Sequence, residues 1–309
     1  MEALDAGAEI YPVFVFDDRW MNATSPNGFP RFSPFRKNYL IRSVQNLREN
    51  FKALGIDLIV RKGDSAEQVF RLARELRARF VFCNRERTTE EVDNQERLEK
   101  KLWTVGQELR YFRGKMLLYT FDLPFPVTHV PDNFNSFRKE VEQIVPIRQP
   151  LPSPKASDFP EWTVQPDSGS LPEEEPLPDG ATDILVPKGG ESISLDCLDA
   201  LTDELLNRDK SPQDDEPRLS PHLSMGCLSP KLVFHSLRDK YPGKDRDFYK
   251  KKVVEDLMIR DYLRLLGKKF GDIIFQKHGM NENEALNYEN DRALINQMLA
   301  GDTGDALFN

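Results

Sequence analysis

Apolar residues in the first part of the chain form short continuous runs separated by helical repeats. The run at 10–16 is almost wholly apolar and ends at Asp17, which is typical of a strand buried on both faces of a parallel sheet. The same pattern predicts further strands at 57–60, 80–83 and 109–112.

Between these runs, apolar residues recur with the 3.6-residue period of an amphipathic helix. Ser33 and Pro34 begin the first repeat, and Gly55 ends it. Two further helices are predicted to begin at capping boxes, in which a hydroxyl and a Glu or Gln side chain bond each other's backbone amides: Ser65 with Gln68, and Thr88 with Glu91. Because strand and helix alternate four times, we predict an α/β domain with a doubly wound parallel sheet over residues 1–143.

The pattern over residues 187–309 predicts a second domain, which is helical. Ser220–Pro221 and Ser229–Pro230 each fit a helix start with a capping serine and proline at the first helical position. Free amides at such a start, with Arg218 beside them, could hold a phosphate or pyrophosphate. Two ordinary capped helices explain the same residues without a ligand.

A second helical pattern follows about thirty residues later. Its apolar residues form one stripe at helical spacing: Val253, Val254, Leu257, Leu263 and Leu266. Asp256, Arg260 and Arg264 follow another face at intervals of four residues. This polar face predicts either an exposed ladder of ion pairs or the lining of a cleft, where Asp256 accepts from a ligand and Arg260 binds an anion.

Charge is distributed unevenly along the chain. The 309 residues are 30% charged and 39% hydrophobic, as in a globular protein with a sizeable core, and the net charge is −8. Residues 156–185 contain eight acidic residues, five prolines and no lysine or arginine. We predict a linker at 144–186 that is too polar and proline-rich to pack well. Between Lys231 and Phe270, twelve basic residues face six acidic ones, a balance that a phosphate backbone would favour.

Other residue patterns exclude several classes of protein. The three cysteines lie far apart in apolar surroundings, which favours buried free thiols: Cys83, Cys197 and Cys227. The four histidines lack metal-ligand spacing, so no metal site is expected. No stretch approaches the roughly 20 apolar residues of a membrane span, and no signal peptide opens the chain. We expect a cytoplasmic monomer without a membrane partner.

Several ordered motifs resemble one known family. Arg-Leu-Ser-Pro-His-Leu at 218–223, Gly-Cys-Leu-Ser-Pro at 226–230 and Arg-Asp-Tyr at 260–262 look like the flavin-binding domain of DNA photolyases and cryptochromes. The helix at 39–48 and the connector at 122–142 resemble the cryptochrome-DASH branch. The resemblance implies an α/β antenna domain followed by an all-α domain that binds FAD.

The resemblance also implies an activity. Repair members of this family pass an electron from reduced, light-excited FAD to a pyrimidine dimer flipped out of DNA, and the cofactor supplies that chemistry. Cryptochrome-DASH members are associated with dimers in single-stranded or looped DNA, where flipping breaks less pairing. DNA photolyase, a carbon–carbon lyase, is the enzyme expected here if the family activity is retained.

Motif matches imply roles for individual residues. The cofactor-binding positions are Arg218, Leu219, Ser220, Asp256 and Arg260, with Glu91 at the position that contacts a folate antenna, methenyltetrahydrofolate. The catalytic positions are Asp256 and Tyr288, the latter as an electron relay. The DNA-binding positions are Ile259, Arg260 and Arg264. For Glu91, the capping box is an equally good explanation that needs no ligand.

Some positions depart from the family pattern. Glu216–Pro217 replaces a hydroxyl pair at the flavin phosphates, and a carboxylate there disfavours a pyrophosphate. Asp256 is one methylene shorter than the family's glutamate. Ile259 replaces a tryptophan that packs on the flipped bases, a loss of about 1 to 3 kcal/mol of stacking per base. These departures favour two alternatives, a blue-light receptor without repair activity and a cofactor-free binding remnant.

Both ends differ from the family pattern. Residues 1–4 match the point after the family's first strand, which is central in its sheet, and 301–304 resemble its Gly-x-Thr-Gly motif. We therefore expect a chain that is truncated at both ends relative to the family.

Overall fold

The fold is that of a computed structural model of the chain. It describes residues 2–5, 9–25, 28–177, 188–207, 219–240, 247–276, 278–280 and 291–304. Two compact units divide the chain, Met1–Lys269 and Phe270–Asn309.

The first unit contains four strands, each five residues long. They are β1 (Val13–Asp17), β2 (Ile59–Gly63), β3 (Phe80–Asn84) and β4 (Glu108–Phe112). The helices preceding residue 145 are α1 (Glu2–Asp5), α2 (Asp18–Met21), α3 (Pro34–Ala53), α4 (Ser65–Glu75), α5 (Thr89–Trp103) and α6 (Phe134–Val141). Those that follow are α7 (Glu191–Asn207), α8 (Ser220–Met225), α9 (Pro230–Lys240), α10 (Asp247–Phe270) and α11 (Arg292–Ala300). Short 3₁₀ helices span Val127–His129, Ala156–Asp158 and Gly271–Phe275.

The strands hydrogen-bond as two parallel pairs. Val13 of β1 stands opposite Ile59 of β2, and Phe80 of β3 stands opposite Glu108 of β4. Within the described residues, no strand pairing joins the two pairs. Parallel strands separated by helices confirm the predicted α/β class, followed by a helical region as predicted. In the part of the chain that the structure describes, the four predicted strands are present as two two-stranded parallel sheets.

Two apolar clusters attach these strand pairs to the helices. One contains buried side chains of β1, α3, β2 and the residue that precedes β2: Phe16, Ile41, Val44, Leu58 and Val60. The other contains buried side chains of α4, α5 and β4: Ala66, Ala73, Leu98, Leu102 and Leu109. Removal of such apolar surface from water stabilises a fold by about 25 cal/mol per Å². The clusters therefore fix the loops that leave the carboxyl ends of the strands.

Two helix starts differ from the predictions. Asp64, and not Ser65, caps α4 by accepting a hydrogen bond from a first-turn amide at 2.9 Å. Thr88 precedes α5 but its side chain makes no capping bond, so the predicted capping box with Glu91 is wrong. The start of α3 after Ser33 is confirmed. At α4 two adjacent polar residues could occupy the capping position, and the sequence alone does not select between them.

Buried polar bonds join the later helices to the α/β core. Lys231 of α9 donates from Nζ to the Met116 carbonyl at 2.7 Å. Asp261 of α10 accepts from the Leu118 amide through Oδ2 at 2.8 Å. Both bonds reach the segment that follows β4, so this segment is one polar junction between the α/β core and the later helices.

The acidic segment contacts α3 through ion pairs. Glu174 pairs with Arg42 at 2.7 Å, and Glu175 pairs with Lys37 at 2.6 Å. The expectation that this segment packs poorly is therefore wrong for its described part, which ends at residue 177. Its negative charge is matched to basic residues on one helix more than a hundred positions away.

The same segment also bonds the edge of a strand. The Val60 amide of β2 donates to the Ser168 carbonyl at 2.8 Å. Upstream, Trp162 packs on Tyr11 with ring centroids 4.8 Å apart and donates to the Ile10 carbonyl at 2.9 Å. The acidic segment is therefore also held by uncharged contacts, which involve its backbone and the Trp162 indole.

The Arg48–Asp57 pair should contribute measurably to stability. Arg48 makes two bonds to the Asp57 carboxylate and a third to the Gly169 carbonyl, and both side chains of the pair are mostly buried. We expect Arg48→Ala to lower the free energy of unfolding by about 1 to 2 kcal/mol in urea denaturation, because it leaves a partly buried carboxylate without its cation. Arg71→Ala, which removes an exposed arginine, should leave stability unchanged.

The pH dependence of the Arg48 effect has a defined sign. Arg48 lowers the pKa of Asp57 to about 2 in the folded chain. A lowered carboxyl pKa stabilises the folded state above the unfolded value near pH 4, and this contribution disappears as pH falls towards 2. The difference between wild type and Arg48→Ala should therefore shrink below pH 4. A constant difference would contradict this interpretation of the pair.

Candidate functional site

The predicted site residues lie on three helices and in undescribed parts of the chain. Arg218, Tyr288 and the pair Glu216–Pro217 lie outside the described residues. The remaining ones lie on or beside α5, α8 and α10: Glu91, Leu219, Ser220, Asp256, Ile259, Arg260 and Arg264.

The start of α8 exposes a hydroxyl group. Leu219 occupies the capping position and Ser220 is the first helical residue, so the prediction of Ser220 as the cap is wrong. Leu219 is buried, whereas Ser220 is exposed, and its hydroxyl has no hydrogen bond within the described residues. Because nothing in the described fold uses this hydroxyl, it is available to a ligand.

Helix α10 has one buried side and one exposed strip. Its buried residues are Leu257, Met258, Asp261, Tyr262, Leu265 and Leu266. Leu263, which belongs to the apolar stripe noted in the sequence, is 58% exposed. Asp256, Ile259 and Leu263 are three to four residues apart and form the exposed strip. This strip therefore presents two apolar side chains and one carboxylate to solvent.

Arg260 connects α10 to two other segments. Its guanidinium donates to the Lys115 carbonyl at 3.0 Å and to the Leu223 carbonyl of α8 at 3.1 Å. Its side chain is only 23% exposed, and burial lowers its pKa. Arg260 therefore positions α8 next to α10, which places Ser220 and Asp256 on helices that are bonded to each other.

Asp261 is the most buried ionisable group described on α10. Its Oδ1 has no hydrogen-bond partner in the described part of the chain and lies 3.8 Å from Nη1 of Arg260. Burial raises the pKa of Asp261 to about 6, opposed by the Leu118 amide bond and the nearby arginines. Asp261 therefore changes its charge in the range between pH 5 and pH 7. No role was predicted for it, because the motif alone does not show which side of the helix is buried.

Glu91 and Arg264 approach the same group of charges. Arg264 donates to Glu86 at 3.3 Å, and Lys115 forms a short bond to the same carboxylate. Oε2 of Glu91 is buried without a hydrogen-bond partner among the described residues, and burial raises the pKa of Glu91. Since the capping role is absent, an unpaired buried carboxyl oxygen is the feature that favours a ligand at Glu91.

A buried histidine, which sequence reasoning left without a role, links α8 to α3 and α7. Nδ1 of His222 lies 2.8 Å from Oη of Tyr39 and 2.7 Å from Oγ of Ser194. Ser194 donates to the Gly190 carbonyl at 2.6 Å, so its oxygen is free to accept from a protonated Nδ1. Burial lowers the pKa of His222, which favours the neutral ring. The motif around His222 gave no signal of this bond, because its partners lie far away in sequence.

Metal and membrane features are absent from the described part of the chain. No group of three or more His, Cys, Asp or Glu side chains there could hold a metal ion. None of the helices described is both long enough and apolar enough to span a bilayer. All three cysteines are free and half-buried, which confirms unbridged thiols but not full burial.

Comparison with known proteins identifies the family. The sequence model described as DNA photolyase matches residues 1–155. The chain belongs to the DNA photolyase family. A cryptochrome DASH of Synechocystis sp. is 30% identical over 319 aligned residues, which cover 98% of this chain and 63% of that protein. A protein of Arabidopsis thaliana named blue-light photoreceptor PHR2 is 28% identical over 297 residues, covering 87% of this chain and 65% of that one.

A solved structure agrees with this assignment. The crystal structure of the Synechocystis cryptochrome superposes with a TM-score of 0.77 at 28% identity, over 99% of this chain and 65% of that one. This photolyase-family chain therefore spans less than two thirds of the length of these relatives.

Replacement of Asp261 should remove a specific pH dependence from this photolyase-family chain. A folded-state pKa near 6, above the usual value of 3.8, means that the folded chain binds the proton more tightly. Stability should therefore rise as pH falls from 6 to 4, by about 1 to 3 kcal/mol. Asp261→Asn keeps an acceptor for the Leu118 amide but cannot titrate, so its urea-derived stability should lack this rise.

A second carboxyl group provides the control. Asp57 has a lowered pKa, so Asp57→Asn should lose its difference from wild type below pH 4 rather than gain one between 4 and 6. If Asp261→Asn keeps the wild-type slope between pH 4 and 6, the carboxyl of Asp261 is not the group that titrates there.

Proposed function

We propose that the protein to which this chain belongs is a cryptochrome-DASH-type photolyase, which binds FAD and uses blue light to split pyrimidine dimers in single-stranded or looped DNA. The observation that supports this most directly is the pair of hydrogen bonds that the Arg260 guanidinium donates to the Leu223 and Lys115 carbonyls. The bond to Leu223 holds α8 against α10. Family membership supports this proposal, and the contact lies between the two helices that carry the implied cofactor positions Ser220 and Asp256.

Two described residues could form hydrogen bonds with polar groups of a cofactor. Ser220 offers an exposed hydroxyl at the start of α8, and Asp256 lies on the exposed strip of α10 as an acceptor. Reduced FAD, when bound and excited by blue light, would supply the electron that breaks the dimer. The chain's own residues would hold the cofactor, orient it and keep water away from it.

The DNA contact is proposed for the exposed strip of α10. Ile259 and Leu263 present an apolar surface against which an unstacked base could lie. The guanidinium groups of Arg260 and Arg264 are bonded to backbone carbonyls and to Glu86, so a contribution to phosphate binding would come from their positive charge beside the strip. Glu91 would contact a folate antenna through its unpaired oxygen.

A blue-light receptor without repair activity is the second candidate. Ile259 is 36% exposed and aliphatic at a position where a base would require stacking, which weakens dimer binding. The relative named blue-light photoreceptor supports the same alternative.

Ser220→Ala should test the cofactor site. We expect the variant to bind FAD about tenfold more weakly than wild type in a fluorescence titration, since it removes one hydrogen bond to a charged group. Ser224→Ala is the matched control, because Ser224 lies on the same helix and bonds only the Pro221 carbonyl at 3.0 Å. Equal losses in both variants would exclude a specific role for Ser220. A well-folded wild-type chain without FAD affinity would favour the cofactor-free alternative.

Ile259→Trp should test the DNA contact. A tryptophan on the exposed strip should tighten dark binding to an oligonucleotide that carries one pyrimidine dimer, roughly tenfold, through base stacking. Ile273→Trp replaces an isoleucine of the same 36% exposure outside α10 and should have no effect. Dimer loss under blue light, measured by chromatography, then separates the two candidates, because a receptor would bind FAD without repairing the DNA.

A further inference from the structure

Two arginine-bearing loops meet at the carboxyl ends of β3 and β4. Arg85 directly follows β3, and Arg113 directly follows β4. The Arg85 amide donates to the Phe112 carbonyl at 2.7 Å, and the Gly114 amide donates to Oδ1 of Asn84 at 3.2 Å. In α/β folds, the carboxyl ends of parallel strands are the usual place for ligands.

A pocket lies between these loops and α10. The pocket is small, with room at its centre for little more than one water molecule, and it opens to solvent, so a ligand would lie at its mouth. Five cationic side chains line it: Arg85, Arg87, Arg113, Lys115 and Arg264. Such a concentration of like charge raises the energy of the empty site unless a counter-charge is present.

The carboxylates near the pocket neutralise only part of this charge. Glu86 pairs with Lys115 and Arg264. Arg85 lies over the Tyr111 ring at 4.3 Å, and Arg113 lies over the Phe121 ring at 4.3 Å. Within the described residues, neither arginine has an ion pair with a carboxylate. Their positive charges therefore stay available.

Arg87 and Arg264 carry N–H groups that have a long hydrogen bond or no acceptor within the described residues. The described hydrogen bond of Arg87 is a long one, 3.4 Å to Oγ1 of Thr120. Burial and the charges of neighbouring arginines lower the pKa of Arg87. Nε of Arg264 is buried without an acceptor among the described residues. An acceptor with several oxygens would satisfy both side chains.

We propose that this arginine pocket binds a phosphate group. Planar guanidinium groups donate pairs of hydrogen bonds that match the spacing of phosphate oxygens, and several of them together neutralise a dianion. Apart from Arg264, the pocket shares no residue with the positions assigned to FAD, folate or DNA. The phosphate could come from a small phosphorylated molecule or from the backbone of DNA. The second source rests on the proposed function, whereas the first does not.

Titration with inorganic phosphate in the dark, without FAD or DNA, tests the pocket by itself. At constant ionic strength, calorimetry should show saturable binding to the wild-type chain. The double variant R87Q/R113Q should bind at least about tenfold more weakly, because it removes two cationic donors that face the pocket. Circular dichroism and urea denaturation should show that the double variant remains folded.

Arg79→Gln is the matched control. Arg79 also lies over an aromatic ring, that of Phe80 at 4.9 Å, but it does not line the pocket. Its replacement should leave phosphate affinity unchanged. If a folded wild-type chain shows no saturable binding, or if Arg79→Gln weakens binding as much as R87Q/R113Q, the proposal is wrong.

Two further titrations identify the source of the phosphate. Thymidine monophosphate presents a dianionic monoester, and an unphosphorylated oligothymidine presents only diesters. If the affinity for thymidine monophosphate depends on Arg87 and Arg113, the ligand is a small phosphorylated molecule. If only the affinity for the oligothymidine depends on Arg87 and Arg113, the phosphate comes from the DNA backbone. Failure of the repair assay would leave the monoester result unaffected, so the two proposals fail separately.

Discussion

The Asp261 side chain accepts from the Leu118 amide where α10 crosses the segment after β4, and this buried bond joins the helical region to the α/β core. A buried charge is costly to remove from water, so it persists only where donors and cations compensate it. The Leu118 amide donates a hydrogen bond to the carboxylate. The preceding residue, Arg260, provides a cation 3.8 Å from its other oxygen. Because consecutive residues on a helix point about 100° apart, Arg260 reaches α8 while Asp261 reaches the loop.

This attachment determines which side of α10 remains for a ligand. With Leu257, Asp261 and Leu265 buried, Asp256, Ile259 and Leu263 must face solvent. One helix therefore serves as core element, junction and candidate binding surface. The two arginines expected to meet DNA are engaged in hydrogen bonds and ion pairs, so in the proposed complex their influence would be electrostatic and direct contact would fall to the exposed strip.

The sequence indicates local structure well and distant pairing poorly. The apolar runs predicted four strands, and Ser33 with Gly55 correctly bounded α3, because those signals are short-range. The two-pair arrangement of the strands depends on hydrogen bonds between segments far apart in sequence. Motif resemblance singled out Ser220 and Arg260 as expected cofactor positions, but it could not show that Arg260 bonds two backbone carbonyls.

The misjudged linker has the same origin. Eight acidic residues and five prolines are typical of a poorly packed linker when they are considered alone. In the fold, the glutamates lie against the basic residues of α3, and Leu171 packs on the adjacent apolar cluster. The charge of a segment therefore predicts exposure only when its partners are known.

That pairing also explains why a chain of net charge −8 can present a cationic pocket. Ion pairs at contact distance cancel their own fields within a few ångströms, and salt screens the remainder over about 8 Å. The acidic segment is partly neutralised by Lys37 and Arg42, whereas Arg85 and Arg113 beyond β3 and β4 are stacked on rings that leave their charge intact. An approaching phosphate responds to this local imbalance and not to the net charge of the chain. The acidity of this chain is therefore compatible with both a DNA partner and a phosphate site.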